Sequence, residues 1–178
     1  TPDNLAAVVL AIAAQDDSGN ATDSLSKLQA VLNTAVVNYN TATDKIADYA
    51  ETGATAPSAQ DYVHAGVSGV TDANLAAINS AIDAQNGADN SLGNTDDRGD
   101  ADSAAKVQTI VNAYAAILGE ANDTANTPGD GTPDATLSVD PTASQYATIG
   151  ADIGAAATVA NNLALLNDIV GAQQTTGA

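Results

Sequence analysis

Clustered aspartates form the segment of this sequence that is best suited to chemistry. Asp96, Asp97, Asp100 and Asp102 fall within seven residues. Calcium binds six to eight oxygens from carboxylates and carbonyls, so these four side chains are a candidate calcium site. No glutamate closes the loop as it does in an EF-hand. Solvated turns and helix caps are the alternative use of the same residues.

The same segment also contains a tripeptide that integrins recognise, Arg98-Gly99-Asp100. It predicts a receptor-binding loop, although such a tripeptide also arises by chance in a chain rich in Asp and Gly. The Asp-rich loop therefore suggests one alternative function for the whole chain. In that alternative, the chain is a ligand-binding module that takes a receptor, a glycan or calcium.

Few residues could support catalysis. His64 is the only histidine and there is no cysteine, so one chain cannot assemble a Cys–His pair or a multi-histidine metal site. Paired carboxylates could hydrolyse glycosides, but they would need aromatic platforms, and the only aromatic residues are five tyrosines. We predict that the chain is not an enzyme and that His64 lies near a helix end on the surface.

Charge and composition exclude two classes of partner. The chain has 178 residues, 22 acids against four Lys and Arg, and a formal charge of −18. Such a field repels nucleic acid and anionic lipid. The longest apolar run, 5–14, is too short to span a bilayer, so we predict no membrane insertion. Twenty of the acids are Asp, which favours caps and loops over helix faces.

Three sequence elements recur in one cyclic order, and each is typical of a helix. The matching segments are 4–8 with 74–78 and 162–166, 27–33 with 106–112, and 57–62 with 141–146. Pro57 and Pro141 suit the first turn of a helix, and Gly66 and Gly150 suit its end. Thr71 is the predicted N-cap of the element at 74–78. The longest element has apolar residues every seven positions, a seam for neighbouring helices: Leu25, Leu32, Tyr39 and Ile46.

These elements predict an all-α fold of tandem three-helix bundles with incomplete modules at both ends. Three antiparallel helices are the smallest arrangement that buries the apolar stripe of each. We expect a partial repeat with the second and third helices at 1–55 and a complete repeat at 56–125. A Gly/Pro/Asp-rich insertion follows at 126–139, and a partial repeat with the first and second helices at 140–178. Incomplete ends predict head-to-tail contact with neighbouring repeats or with other copies of the chain.

The stretch 57–89 resembles the tandem helical repeats of very large secreted adhesins of aquatic Gram-negative bacteria, described as GA-like three-helix domains. The resemblance lies in the run from Pro57 through Tyr62 and Gly66 to Asn74 and Leu75, and it continues in the helical segment 106–122. It implies secretion to the surface of a bacterium and a role as stalk, spacer or adhesive fibre. It carries over no catalytic residues.

The leading hypothesis is therefore a non-enzymatic, extracellular structural or adhesive repeat protein. In one version the chain is a stalk segment of a large surface adhesin. In the other it is a subunit that polymerises head-to-tail into an extracellular filament. The expected partners are neighbouring repeats or copies of the chain, together with a cell-surface or host ligand. Calcium is the only cofactor for which the sequence offers candidate ligands.

Overall fold

The described part of the chain is all-helical, which confirms the all-α part of the predicted fold class. The computed structural model describes residues 4–16, 18–20, 22–85, 101–121 and 140–172, and within these ranges it contains no strand. The helices are α1 (Leu5–Ala13), α2 (Leu25–Thr52), α3 (Ala59–His64), α4 (Leu75–Asp83), α5 (Ala104–Ala121), α6 (Ala143–Thr148) and α7 (Ala160–Gly171), with a 3₁₀ helix at Gly154–Ala157.

The chain divides into two compact units, residues 1–108 and 109–178. The first unit contains α1 to α4 and the start of α5. The second contains the rest of α5, followed by α6, the 3₁₀ helix and α7. None of the described helices is both long enough and apolar enough to cross a membrane.

The long helix α2 is the scaffold of the first unit, since α1, α3 and α4 all contact it. Ser24 caps its start by accepting a hydrogen bond from the backbone N–H of Lys27. Gly53 ends it in the left-handed conformation, with φ of 64°, which suits a residue that lacks a Cβ. The predicted seam is buried only in its second half. Tyr39 and Ile46 are in the core, whereas Leu25 at the first position of α2 is 82% exposed.

Helix α3 is short and relies on its capping interactions. The Ser58 side chain accepts from the backbone N–H of Asp61, and the Asp61 carboxylate accepts from the Ser58 backbone, which completes a capping box. Asp61 Oδ2 also accepts from Lys45 Nζ of α2 at 2.6 Å. Partial burial acts to raise the pKa of Asp61, but the bonds from Lys45 and Ser58 outweigh it and hold that pKa below its ordinary value. Lys45 thereby ties α3 to α2.

Gly66 ends α3, and because it lacks a side chain α1 can pack closely against it. Its φ is 76°, a backbone conformation in which residues that have a side chain are strained. A Cβ at this position would lie 2.8 Å from the backbone N of Ala7 and 3.1 Å from the Cβ of Ala6. The predicted stop at Gly66 is confirmed, and it serves the packing of α1 as well as the turn.

The start of α4 differs from the prediction. The helix begins at Leu75 with Asn74 at its N-cap, three residues after the predicted cap. Asn74 Oδ1 accepts a hydrogen bond from the backbone N–H of Thr71 at 2.7 Å. Its amide nitrogen donates to the carbonyl of Gly69 at 2.9 Å. Thr71 therefore belongs to the preceding turn, which the Asn74 side chain holds together.

The second unit repeats the local design of α3 in α6. The Thr142 side chain accepts from the backbone N–H of Gln145, and the Gln145 side chain accepts from the Thr142 backbone, forming a second capping box. Gly150 follows with φ of 77°, which confirms it as a helix stop. The 3₁₀ helix then packs on both α6 and α7.

We expect Asp61→Asn to destabilise the first unit at neutral pH and to have little effect in acid. The folded pKa of Asp61 lies below its unfolded value of about 3.9. Its contribution is therefore fully present above the unfolded pKa and is lost as pH falls through the folded pKa. Denaturant titrations should show a deficit of about 1–2 kcal/mol at pH 7.

The control for this experiment is Asp72→Asn, which neutralises an exposed loop aspartate. It should leave the free energy of unfolding within about 0.5 kcal/mol of wild type. A deficit of Asp61→Asn that stays constant from pH 7 into acid would contradict a charge-dependent tie between Lys45 and Asp61.

Candidate interaction surfaces

A buried hydrogen-bonded triad holds α3 and α4 of the first unit together. Tyr62 Oη donates to Asn79 Oδ1 at 2.6 Å, and Asn79 Nδ2 donates to the carbonyl of Pro57 at 2.9 Å. Tyr62 and Pro57 are almost completely buried and Asn79 is 8% exposed. Burial raises the pKa of the Tyr62 hydroxyl, so Tyr62 remains a neutral donor. We call this arrangement the Tyr–Asn–Pro lock.

The second unit contains the same lock. Tyr146 Oη donates to Asn167 Oδ1 at 2.8 Å, and Asn167 Nδ2 donates to the carbonyl of Pro141 at 3.0 Å. All three residues are buried. Burial, followed by the nearby charges of Glu120 and Asp140, raises the pKa of Tyr146. The same three residue types therefore connect two helices in each unit.

The two locks differ in the length of chain between Tyr and Asn. The separation is 17 residues in the first unit and 21 in the second. In both, the residue after the stop glycine donates its backbone N–H to the tyrosine carbonyl at 2.9 Å: Val67 to Tyr62 and Ala151 to Tyr146. The 3₁₀ helix Gly154–Ala157 lies in the longer connection, and there is no 3₁₀ helix between α3 and α4. It takes up the four additional residues.

Helix α1 resembles α4 and α7 in sequence but takes part in no lock. The match of 4–8 to 74–78 places Val9 where α4 has Asn79. Val9 is 54% exposed, and Leu5 and Ile12 on the same face are 60% and 39% exposed. The face that α4 buries under Tyr62 is therefore an open apolar surface on α1.

A groove of about 420 Å³ opens between α1, α2 and α3. Alanines from α1 and α2 line much of it, and Val63 and His64 of α3 form one side. No Asp or Glu is among the described lining residues, although acids outnumber bases 22 to four in the chain. His64 is the last residue of α3, which confirms the predicted position near a helix end. Its side chain is half-buried rather than fully on the surface as predicted.

A second open apolar surface lies on α7. Leu165 is 59% exposed and Ile169, one turn further, is 53% exposed. The aligned locks place these residues where α4 has Ala77 and Ala81. Ala81 is only 5% exposed, and α4 packs on α2. The second unit therefore shows large apolar side chains at positions where the first has small, packed ones.

Most of the predicted calcium and receptor sites lies outside the described residues. This applies to Asp96, Asp97 and the tripeptide Arg98-Gly99-Asp100. Asp102 is described, and it pairs with Lys106 at 3.0 Å at the start of α5. Within the described ranges, no group of three or more His, Cys, Asp or Glu could hold a metal ion.

The ion pair of Asp102 recurs at the start of α2, where Asp23 pairs with Lys27 at 2.9 Å. In both places the serine that follows the aspartate, Ser24 or Ser103, also accepts a hydrogen bond from the backbone N–H of the lysine. The repeated sequence therefore explains Asp102 as part of a helix start. The calcium site remains a prediction.

Sequence reasoning missed Asn79 and Asn167. A polar residue within an apolar helix is usually assigned to a solvated face, and both are buried. One signal could have identified them, because each lies five residues after the asparagine that begins the repeated segment, at Asn74 and Asn162.

Comparison with protein-family profiles, with curated proteins and with solved structures finds no match to this chain.

We expect Tyr62→Phe to destabilise α4 and Tyr146→Phe to destabilise α7. Each substitution leaves a buried asparagine oxygen without its donor, at a cost of about 1–3 kcal/mol. Amide hydrogen exchange measured in the helix that carries the asparagine should report the loss. Tyr114→Phe, at a half-buried position of α5 outside both locks, is the control. Unchanged exchange in α4 and α7 would show that the locks do not stabilise the units.

Proposed function

We propose that this chain is a non-enzymatic structural or adhesive repeat protein of the bacterial cell exterior. In this proposal it consists of three-helix modules arranged in series. Each module has a short helix with the lock tyrosine, a helix with the lock asparagine (called the Asn helix) and a long helix. The observation that carries the proposal is the duplicated Tyr–Asn–Pro lock. The same buried triad, capping box and left-handed glycine occur in both units.

The lock is an architectural device rather than a reactive one. Each asparagine amide is satisfied at both ends by the same unit, and every buried side-chain N or O in the described residues has a hydrogen-bond partner. A satisfied polar network fixes one packing arrangement, because any slip leaves buried groups unpaired. When the same lock is repeated along a chain, each unit takes the same packing arrangement, and a stalk or fibre requires such identical units.

The open apolar faces support contacts with neighbouring modules. Helix α1 exposes the face that α4 buries, and α7 exposes Leu165. In repeat proteins each module buries apolar surface against the next, and modules contact only their neighbours. The neighbours would be further repeats of one polypeptide in a stalk, or other copies of the chain in a filament.

The net charge of the chain is compatible with a long extracellular assembly that stays in solution. At −18 the chain repels other acidic surfaces and stays in solution. The described lysines all lie in the first unit, where they form ion pairs with Asp23, Asp61 and Asp102. Adhesion to a ligand would then occur through discrete loops or faces rather than through general charge attraction.

A covalent tandem of two copies tests the repeat proposal. If modules cover one another, α1 of the second copy should exchange its amide hydrogens more slowly than α1 of a single chain. The expected slowing is roughly tenfold or more, because burial of one large apolar side chain contributes about 1.5–3 kcal/mol. A fusion to an unrelated soluble domain of equal length is the control. Equal exchange of α1 in the tandem, the fusion and the single chain would contradict the proposal.

A further inference from the structure

We infer that α7 of one copy of the chain docks into the groove between α1, α2 and α3 of a second copy, with Leu165 seated among the alanines of that groove. This inference rests on the proposed function and names the contact that its filament form would use.

The internal repeat aligns α1, α4 and α7 and allows their side chains to be compared position by position. At two aligned positions α1 and α4 carry alanines, and both helices contact α2. On α7 the same two positions hold leucine and isoleucine, more than half exposed. Larger side chains keep two helices further apart unless a hollow receives them. The aligned pairs are Ala7 and Ala11 in α1, Ala77 and Ala81 in α4, and Leu165 and Ile169 in α7.

The groove of the first unit offers such a hollow. Its volume of about 420 Å³ lies in the range of roughly 300–1,000 Å³ that accommodates bound groups in proteins. Its alanine lining leaves room beside α1 and α2 for an incoming side chain. An amphipathic helix that places large residues one turn apart into an apolar groove is a common recognition mode. Leu165 and Ile169 have that spacing.

The polar groups of the groove and of α7 also match. The only acid in α7 is Asp168, which is exposed beside Ile169. The described lining of the groove contains no carboxylate, and its only ionisable side chain is His64. The His64 imidazole can donate a hydrogen bond to Asp168 as Leu165 enters. Elsewhere two acidic copies repel each other, so the contact should strengthen as salt screens that repulsion.

The test uses two complementary variants of the full chain. Leu165→Lys disables the α7 face, and Thr34→Trp fills the groove from an exposed position that lines it. We expect wild type to form open-ended oligomers in sedimentation at high salt with a calcium chelator present. Each variant alone should associate roughly tenfold to a hundredfold more weakly. An equimolar mixture of the two should form a one-to-one dimer, because the intact α7 of the Thr34→Trp chain can dock into the intact groove of the Leu165→Lys chain. Growth should stop there, since the two surfaces left open are the disabled ones.

The control is Leu25→Lys, which removes another exposed leucine, outside the groove and outside α7. It should associate as wild type does. Circular dichroism checks that all variants keep their helical content, so that loss of association cannot be assigned to unfolding.

Three outcomes would overturn the inference. If both variants associate as wild type does, copies meet elsewhere, for example through the open face of α1. If both variants remain folded and monomeric but their mixture does too, the contact is not head-to-tail. If wild type itself stays monomeric while the covalent tandem protects α1, modules stack within one polypeptide. In that last case the proposed function stands and the contact between copies does not.

Discussion

A buried asparagine must satisfy both its carbonyl oxygen and its amide nitrogen, and in this chain that demand fixes the packing of two helices at a time. Asn79 takes a donor from Tyr62 and gives a hydrogen to the carbonyl of Pro57. Leaving either end unpaired would cost about 1–3 kcal/mol, a substantial part of the stability of a small unit. The two helices can therefore slide or rotate very little without breaking the lock.

The local features around the lock serve that geometry. Helices as short as α3 and α6 are marginal without tertiary packing, and capping boxes begin both of them. Gly66 and Gly150 turn the chain sharply enough for the next segment to bond the tyrosine carbonyl. The connection before the Asn helix can vary in length, as the 3₁₀ helix of the second unit shows, because it lies outside these constraints.

The all-α class and the two glycine helix stops could be predicted because they depend on local chemistry. Gly66 could be predicted as a stop because a residue without a side chain suits the turn that ends a helix. Pro57, predicted in the first turn of α3, instead precedes the Ser58 N-cap and lies outside the helix. The lock could not be derived in the same way, since its atoms come from positions 17 or more residues apart. The groove depends on how closely α1 approaches Gly66, which is a property of the packed unit. The Asp96 to Asp100 segment lies outside the described residues, and its predicted sites remain predictions.

The most direct measurement is a double-mutant cycle on Tyr62 and Asn79, read as the free energy of opening of α4 from amide hydrogen exchange. The variants are Tyr62→Phe, Asn79→Ala and the two combined. If the lock organises the unit, the two residues are coupled by about 1–3 kcal/mol, so the double variant loses less than the sum of the single losses. Losses that add to within about 0.5 kcal/mol would contradict the account, because Tyr62 and Asn79 would then stabilise the unit independently.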